Sequence, residues 1–210
     1  LAALATLVIF IGTLASMLTS PDDRWWEFHF SQLGNQEGTS AAAFNGALIL
    51  TGLTITAFAD YAARDAHRGM SLRGVSSDGA SRSGGAGGWW SLERRTGAVS
   101  WMLIVIGVCM MVAGLVHDAM NKTVHVGAAS GMVVVFGLLA AFSLAMMPGI
   151  PRSFRVLTIG VMAGIVVAIL LWIPIGYYAL SGVEFVSAGL LFSWFIVYAR
   201  TLELYAEHAE

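Results

Sequence analysis

Residues 96–116 read TGAVSWMLIVIGVCMMVAGLV, a run of 21 residues without a charged side chain. An α-helix rises about 1.5 Å per residue and the hydrocarbon core of a bilayer is about 30 Å thick, so about 20 apolar residues are needed to cross it. The run therefore predicts a membrane-spanning helix. Arg94 and Arg95 precede it, and His117 and Asp118 follow it, so both ends return to polar surroundings.

Five further stretches meet the same requirement, at about 1–18, 42–61, 125–147, 156–177 and 185–204. Hydrophobic residues form 57% of the chain and charged residues only 11%, too few to cover the surface of a water-soluble domain. We therefore predict an all-α integral membrane bundle of six transmembrane helices, with residues 1–210 as one domain. We expect the first stretch to be a span rather than a signal peptide, because its removal would leave five spans.

The basic residues lie in every second gap between these stretches. The gap 62–95 holds six arginines, the gap near Pro151 holds two and the C-terminal tail holds one, whereas the other gaps hold only Arg24 and Lys122. Cytoplasmic loops of membrane proteins carry the excess of Lys and Arg. This pattern predicts cytoplasmic N- and C-termini in a multi-pass protein of the plasma membrane. Since the arginines are explained by topology, we expect no nucleic-acid partner.

Two of the connecting segments are long, and each has a distinctive composition. The gap 62–95 is rich in Gly and Ser, especially at 83–88, and such composition is typical of a flexible loop. The gap 19–41 carries Trp25, Trp26, Phe28 and Phe30. These rings either anchor at the lipid headgroups or belong to a short amphipathic segment that covers the outer end of the bundle.

Glycine and proline positions predict how the helices pack. Gly127 with Gly131, and Gly160 with Gly164, have the GxxxG spacing that lets helices approach closely in lipid. They predict contacts within the bundle or, alternatively, a homodimer face. Pro174 is expected to kink the fifth helix near its outer end, because proline cannot donate a backbone hydrogen bond.

Polar side chains gather at the predicted outer ends of the spans rather than at their centres. Ionisable residues deep in hydrocarbon mark ion and proton pathways, and their rarity here disfavours a coupled pump. We expect His125 and Glu184 to join an interhelical hydrogen-bond cluster at the outer end. The full candidate outer-rim polar site comprises His29, Ser31, Gln32, Asn45, His117, Asp118, His125 and Glu184.

A metal site is the alternative interpretation of the same residues. His29, His117 and His125 have side chains suited to zinc, which is bound by neutral imidazole and carboxylate. No HExxH motif or pair of cysteines accompanies them, and the single Cys109 lies inside a span. The leading expectation is therefore a protein without a cofactor.

Short motifs link the chain to a known family. The run FSQLG at 30–34, followed by FNG at 44–46, resembles the domain of unknown function 998 family of six-span bacterial and archaeal membrane proteins. Members carry a similar Ser-Asp-Leu-Gly motif after the first span, with Gln32 here at the place of the Asp. The resemblance implies the six-span fold and the topology given above. Its further matching positions are Gly52, Gly114, His117, Asp118, His125, Glu184 and Trp194.

These observations favour a non-enzymatic membrane protein whose outer polar rim contacts lipid headgroups or a partner protein. Two alternatives stay open at this point. One is a zinc-dependent membrane lipid hydrolase, with the three histidines as ligands. The other is a transporter of lipids or small molecules. Membrane lipids are the expected partners, and a protein partner or a homo-oligomer is compatible with the sequence.

Overall fold

The computed structural model describes residues 1–75 and 90–207. Within them the chain forms six long helices and no strand, which confirms the predicted all-α fold. Each helix is long and apolar enough to cross a membrane, as expected of a multi-pass membrane protein. The helices are α1 (Ala2–Thr19), α2 (Thr39–Leu72), α3 (Leu92–Leu115), α4 (Lys122–Met146), α5 (Arg152–Trp172) and α6 (Leu180–Glu207).

The bundle has two polar ends, which differ in composition. At one end Asn35 bonds to Ala119, and Phe30 bonds to Glu184 in the first turns of α6. We name this the lid end, and we name residues 20–38, which connect α1 to α2 there, the lid segment. At the other end Arg95 bonds to Met146 and Tyr205 bonds to Pro148. We name this the arginine end.

Helix α2 is longer than the sequence indicated. It runs on to Leu72 rather than ending near residue 61, and at 34 residues it is about 51 Å long. Ala62, Ala66 and Met70 are fully buried at four-residue spacing, so an apolar stripe continues into the arginine-bearing segment. The expectation of a flexible loop was therefore wrong for its first part, 62–72. Its Gly/Ser-rich part at 83–88, together with Arg82 and Trp89, lies outside the described residues.

Proline ends α5 instead of kinking it. The helix stops at Trp172, two residues before Pro174, and the backbone N–H of Gly176 then bonds to the Trp172 carbonyl. Gly176 has φ +65°, which a residue without Cβ adopts at no steric cost. The prediction of a kink was wrong. Ile173 keeps helical dihedral angles, but Pro174 lacks the N–H that a further helical turn needs, so the helix ends there.

The closest helix approach does not use the predicted glycine pairs. A Cβ added to Gly52 of α2 or to Gly107 of α3 would overlap the other residue's carbonyl oxygen. By contrast, a Cβ at Gly127 or Gly160 would meet no atom within 4 Å. Of the GxxxG positions, Gly164 comes nearest to a neighbour, with a side-chain atom of α6 3.0 Å from its ideal Cβ. The backbones of α2 and α3 thus approach closely at Gly52 and Gly107, and α2 also contacts α1 and α6.

Aromatic side chains fill the core between α4, α5 and α6. The rings of Trp194 and Tyr198 stack with centroids 4.7 Å apart, and Phe136 meets Trp194 edge-on at 4.8 Å. The indole N–H of Trp194 donates to the hydroxyl of Thr158 at 2.9 Å. Such rings contribute large buried areas, and the indole N–H has the partner that a buried donor needs. The core therefore fixes α6, whose first turns position part of the lid end.

Candidate functional site

The lid segment folds back onto the helix ends instead of projecting into solvent. It forms two short 3-10 helices, Trp25–Glu27 and Phe30–Asn35. Leu33 has no exposed surface, and Gly34 is buried so closely that an added Cβ would lie 2.5 Å from the Asn45 side-chain oxygen. The amide of Asn45 in turn donates to the Gly34 carbonyl at 3.0 Å. The segment thus covers the bundle end, while the rings of Trp26 and Phe28 stay exposed on it.

His125 fastens the middle of the lid segment to α3 and α4. It lies in the first turn of α4, is 5% exposed, and places Nε2 2.8 Å from the hydroxyl oxygen of Ser31. Its Nδ1 lies 3.1 Å from the carbonyl oxygen of Ala113 and 3.0 Å from that of Val116. The last carbonyls of an α-helix have no partner within the helix, so His125 caps the C-terminus of α3.

This hydrogen-bond pattern assigns the protons of the imidazole. Carbonyl oxygens only accept, so Nδ1 carries a hydrogen that it donates toward Ala113 and Val116. In the neutral ring Nε2 is then the acceptor, and the hydroxyl of Ser31 donates to it. The result is a chain from the Ser31 hydroxyl through the His125 ring to the end of α3.

Two residues of α6 hold the lid segment from the other side. The carboxylate of Glu184 accepts a hydrogen bond of 2.5 Å from the backbone N–H of Phe30. The hydroxyl of Ser181 donates to the carbonyl of Trp26. The ring of Phe30 also stacks on Phe185, with centroids 5.9 Å apart. His125 and Glu184 therefore bind adjacent residues of the lid segment, Ser31 and Phe30, rather than each other.

The connection between α3 and α4 completes the cover. The side-chain oxygen of Asn35 accepts a hydrogen bond of 3.0 Å from the backbone N–H of Ala119. Nε2 of His29 lies 4.0 Å from a carboxylate oxygen of Asp118, the range of a weak ion pair when the imidazole is protonated. Nδ1 of His117 is buried and has no hydrogen-bond partner. Gln32 is half-buried beside Ser31.

The three histidines proposed as zinc ligands do not form a metal centre here. Across residues 1–75 and 90–207, no three side chains of His, Cys, Asp or Glu are gathered so that they could hold a metal ion. Both nitrogens of His125 already contact protein atoms, Ser31 on one side and the end of α3 on the other. The geometry thus gives the zinc alternative no support.

The lid end can act chemically in two ways. It presents aromatic side chains on a segment that hydrogen bonds hold in place, and it places a serine hydroxyl next to an imidazole.

No family model, curated protein or solved structure matches the chain. The contacts, burial and charges of these residues therefore carry the functional inference.

Sequence reasoning missed several residues of the lid end. Ser181 and Asn35 were not candidates, although both are polar residues next to a helix end. The buried hydroxyls of Ser16 and Ser40 lie 3.0 Å apart and join α1 to α2. Each of these contacts involves a backbone group or a partner distant in sequence, so no local motif marks them.

The arginine end has a polar cluster of its own, which the sequence showed only as a topology signal. The guanidinium of Arg73 lies 3.9 Å from the centre of the Tyr205 ring and donates to the Tyr205 carbonyl at 2.9 Å. Arg95 is buried and donates to the Met146 carbonyl at 2.7 Å. Both arginines thus cap helix C-termini, where cations are favourable.

Proposed function

We propose that the chain is a plasma-membrane protein whose lid segment lies at the outer surface and binds lipid headgroups. The observation that carries the proposal is the exposure of Trp26 and Phe28, whose side chains are 53% and 57% exposed on a segment that hydrogen bonds fix to the helix ends. Aromatic rings held in this way at a bundle end are typical of the membrane interface, where one side meets acyl chains and the other meets water.

The distribution of basic residues supports this orientation. In the described part of the chain, the lid end carries Arg24 and Lys122 as its basic residues. Excess Lys and Arg on one side of a membrane protein marks its cytoplasmic side. The arginine end would accordingly be cytoplasmic, with both termini. Its described basic residues are Arg64, Arg68, Arg73, Arg94, Arg95, Arg152, Arg155 and Arg200.

The charge of the lid segment favours one kind of headgroup. This segment carries four acidic residues and one basic residue, Arg24. Asp22 is half-buried, and Asp23, Glu27 and Glu37 are exposed. Carboxylates attract the ammonium of a zwitterionic headgroup and repel an anionic one. We therefore expect phosphatidylethanolamine to bind at the lid end in preference to phosphatidylglycerol.

Membership of the domain of unknown function 998 family is part of the proposal. Ser31, Asn45, His125 and Glu184, which carry the resemblance, are also the residues that hold the lid segment down. We expect family members that share this motif to hold the same segment over the helix ends. The sequence-based expectation of a non-enzymatic protein stays a prediction.

Cysteine labelling tests the orientation. In a Cys109→Ala background, a membrane-impermeant maleimide added to intact cells should label Glu37→Cys, because Glu37 is exposed in the lid segment. Arg68→Cys, exposed at the arginine end, should react only after the cells are opened. Labelling of Arg68→Cys in intact cells would refute the orientation.

Native mass spectrometry tests the binding of lipid. Protein purified from an equal mixture of phosphatidylethanolamine and phosphatidylglycerol should retain the former, and the double variant Trp26→Ala/Phe28→Ala should retain less of it. Trp101→Ala is the matched control, since Trp101 is exposed on α3 outside the lid segment. Equal retention by the double variant and the control contradicts headgroup binding and leaves a protein partner as the occupant.

A further inference from the structure

The contact between Ser31 and His125 has the geometry of an activated nucleophile. A serine hydroxyl becomes reactive when a base within about 2.6–3.2 Å takes its proton and a third group orients that base. Here the hydroxyl oxygen lies 2.8 Å from Nε2, and two carbonyl oxygens orient the ring through Nδ1. The hydrogen-bond chain leaves Nε2 as the acceptor, which is the tautomer that this chemistry requires.

The end of α3 is suited to stabilise the protonated ring. Once Nε2 takes a proton, the imidazole is a cation, and its Nδ1–H points at the carbonyls of Ala113 and Val116. The C-terminus of a helix carries a partial negative charge that favours cations. The carbonyls therefore perform the task that a carboxylate performs in a Ser-His-Asp triad, which is to hold the tautomer and stabilise the imidazolium.

An apolar surface lies beside the hydroxyl. Phe30, the residue before Ser31, stacks on Phe185 of α6, whose side chain is 56% exposed on the outside of the bundle. An acyl chain in the bilayer can lie along this aromatic pair, and its ester group would then sit at the depth of the lid segment. Ser31 is half-buried whereas His125 is buried, so the serine is the member of the pair that has surface outside the bundle.

We propose that Ser31 is the nucleophile and His125 the general base of a metal-free site that cleaves carboxylic esters of membrane lipids. The lipid substrate class rests on the proposed position of the lid segment at the headgroups, whereas the reactivity of Ser31 does not. The proposal departs from the sequence-based expectation of a non-enzymatic protein, and the labelling and vesicle experiments decide between the two.

The reaction balances with water as the only co-reactant. The oxygen of Ser31 bonds to the ester carbonyl carbon while its proton passes to Nε2 of His125. The bond between that carbon and the alcohol oxygen then breaks, and Nε2 returns the proton to the departing alcohol. Water next attacks the acyl-serine with the same base, which releases the carboxylic acid and restores the hydroxyl.

A fluorophosphonate probe tests the nucleophile directly in the purified full chain. It phosphonylates an activated serine with loss of fluoride, and tandem mass spectrometry should locate the adduct on Ser31. Ser31→Ala should abolish labelling, and His125→Gln, which keeps a polar partner for Ser31 but no base, should slow it at least about 100-fold. Ser20→Ala is the matched control in the same segment and should be labelled like the wild type. An unlabelled Ser31 in the wild type overturns the proposal.

A thiol variant separates reactivity from folding. In a Cys109→Ala background, Ser31→Cys should be alkylated by iodoacetamide at neutral pH about tenfold faster than Ser20→Cys, because an adjacent imidazole raises the thiolate fraction. Adding His125→Gln should remove this difference. If His125 does not act as a base, Ser31→Cys should be alkylated at the same rate with and without His125→Gln. Equal rates would therefore overturn the proposal.

Vesicles test the substrate class. Protein reconstituted into phosphatidylethanolamine vesicles that carry a fluorescent acyl chain should release the labelled fatty acid, and Ser31→Ala should not. Probe labelling of Ser31 without release of fatty acid overturns the lipid-ester assignment.

The cysteine mapping of Glu37 and Arg68 does not depend on probe labelling or on fatty-acid release. A wrong orientation is therefore distinguished from a wrong reaction.

Discussion

Glu184 and Phe30 lie 154 residues apart in the chain, yet a hydrogen bond of 2.5 Å joins the carboxylate of one to the backbone N–H of the other. Phe30 begins a short 3-10 helix, and the first N–H groups of a helix have no partner within it. Glu184 supplies that partner from the first turns of α6. A single side chain thus closes the lid segment onto a helix that the core holds in place.

Removal of this carboxylate should loosen the lid segment. Hydrogen bonds to charged groups contribute about 1.5–3 kcal/mol, so Glu184→Ala should speed amide hydrogen exchange in residues 25–35 by about 10- to 150-fold. Mass spectrometry of the corresponding peptides measures this. Glu203→Ala is the control, because its exposed ion pair with Arg200 lies in the C-terminal part of α6. Unchanged exchange in Glu184→Ala would show that Phe30 does not depend on this bond.

The ring of Tyr205 and the guanidinium of Arg73 make the arginine end sensitive to a conservative change. Arg73 stacks on the ring and donates to two carbonyls, those of Gly69 and Tyr205. Lysine keeps the charge but lacks the planar fork, so we expect Arg73→Lys to destabilise the protein by about 1–2 kcal/mol. Thermal unfolding in detergent measures this. Arg155→Lys, on the exposed surface, is the control and should be neutral within about 0.5 kcal/mol. Equal midpoints for the two variants would contradict the assignment.

The sequence predicted the helices better than their ends. Apolar length alone was enough to predict the six long helices, because a bilayer requires about 20 apolar residues for each span. The predicted end of α2, near residue 61, was wrong because Arg64 and Arg68 are typical of a loop outside the membrane. The buried stripe of Ala62 and Ala66 outweighs them, and the arginine side chains reach outward to solvent.

The sequence named candidate residues for the site but did not predict which atoms they bond to. His125 and Glu184 were expected to share a cluster, and both do hold the lid segment. Their partners are a serine hydroxyl and a backbone N–H, and a backbone donor leaves no mark in composition or spacing. The end of α3 was predicted to within one residue, but which carbonyls His125 reaches depends on how α4 packs against α3, and no local motif marks that packing.

Alanine substitutions should distinguish a glycine that is needed for close helix packing from one that only has GxxxG spacing. A Cβ at Gly52 would overlap the Gly107 carbonyl oxygen, a backbone atom that cannot move aside without shifting α3. Overpacking costs about 1–3 kcal/mol, so Gly52→Ala should lower the thermal midpoint in detergent. At Gly127 nothing lies within 4 Å of an added Cβ, and alanine is favoured over glycine in a helix by about 1 kcal/mol. Gly127→Ala should therefore be neutral or stabilising in the monomer.

The same Gly127→Ala variant tests the homodimer face that the GxxxG spacing suggested. If Gly127 and Gly131 meet a second copy of the chain, the added methyl group should weaken association, because close backbone approach is what the glycines provide. Gly189→Ala on α6, also in open space and outside both GxxxG pairs, is the matched control. Single-molecule photobleaching in vesicles measures the dimer fraction. A selective loss of dimer with Gly127→Ala would assign the interface to α4, and equal fractions for the two variants would remove this face as the site of self-association.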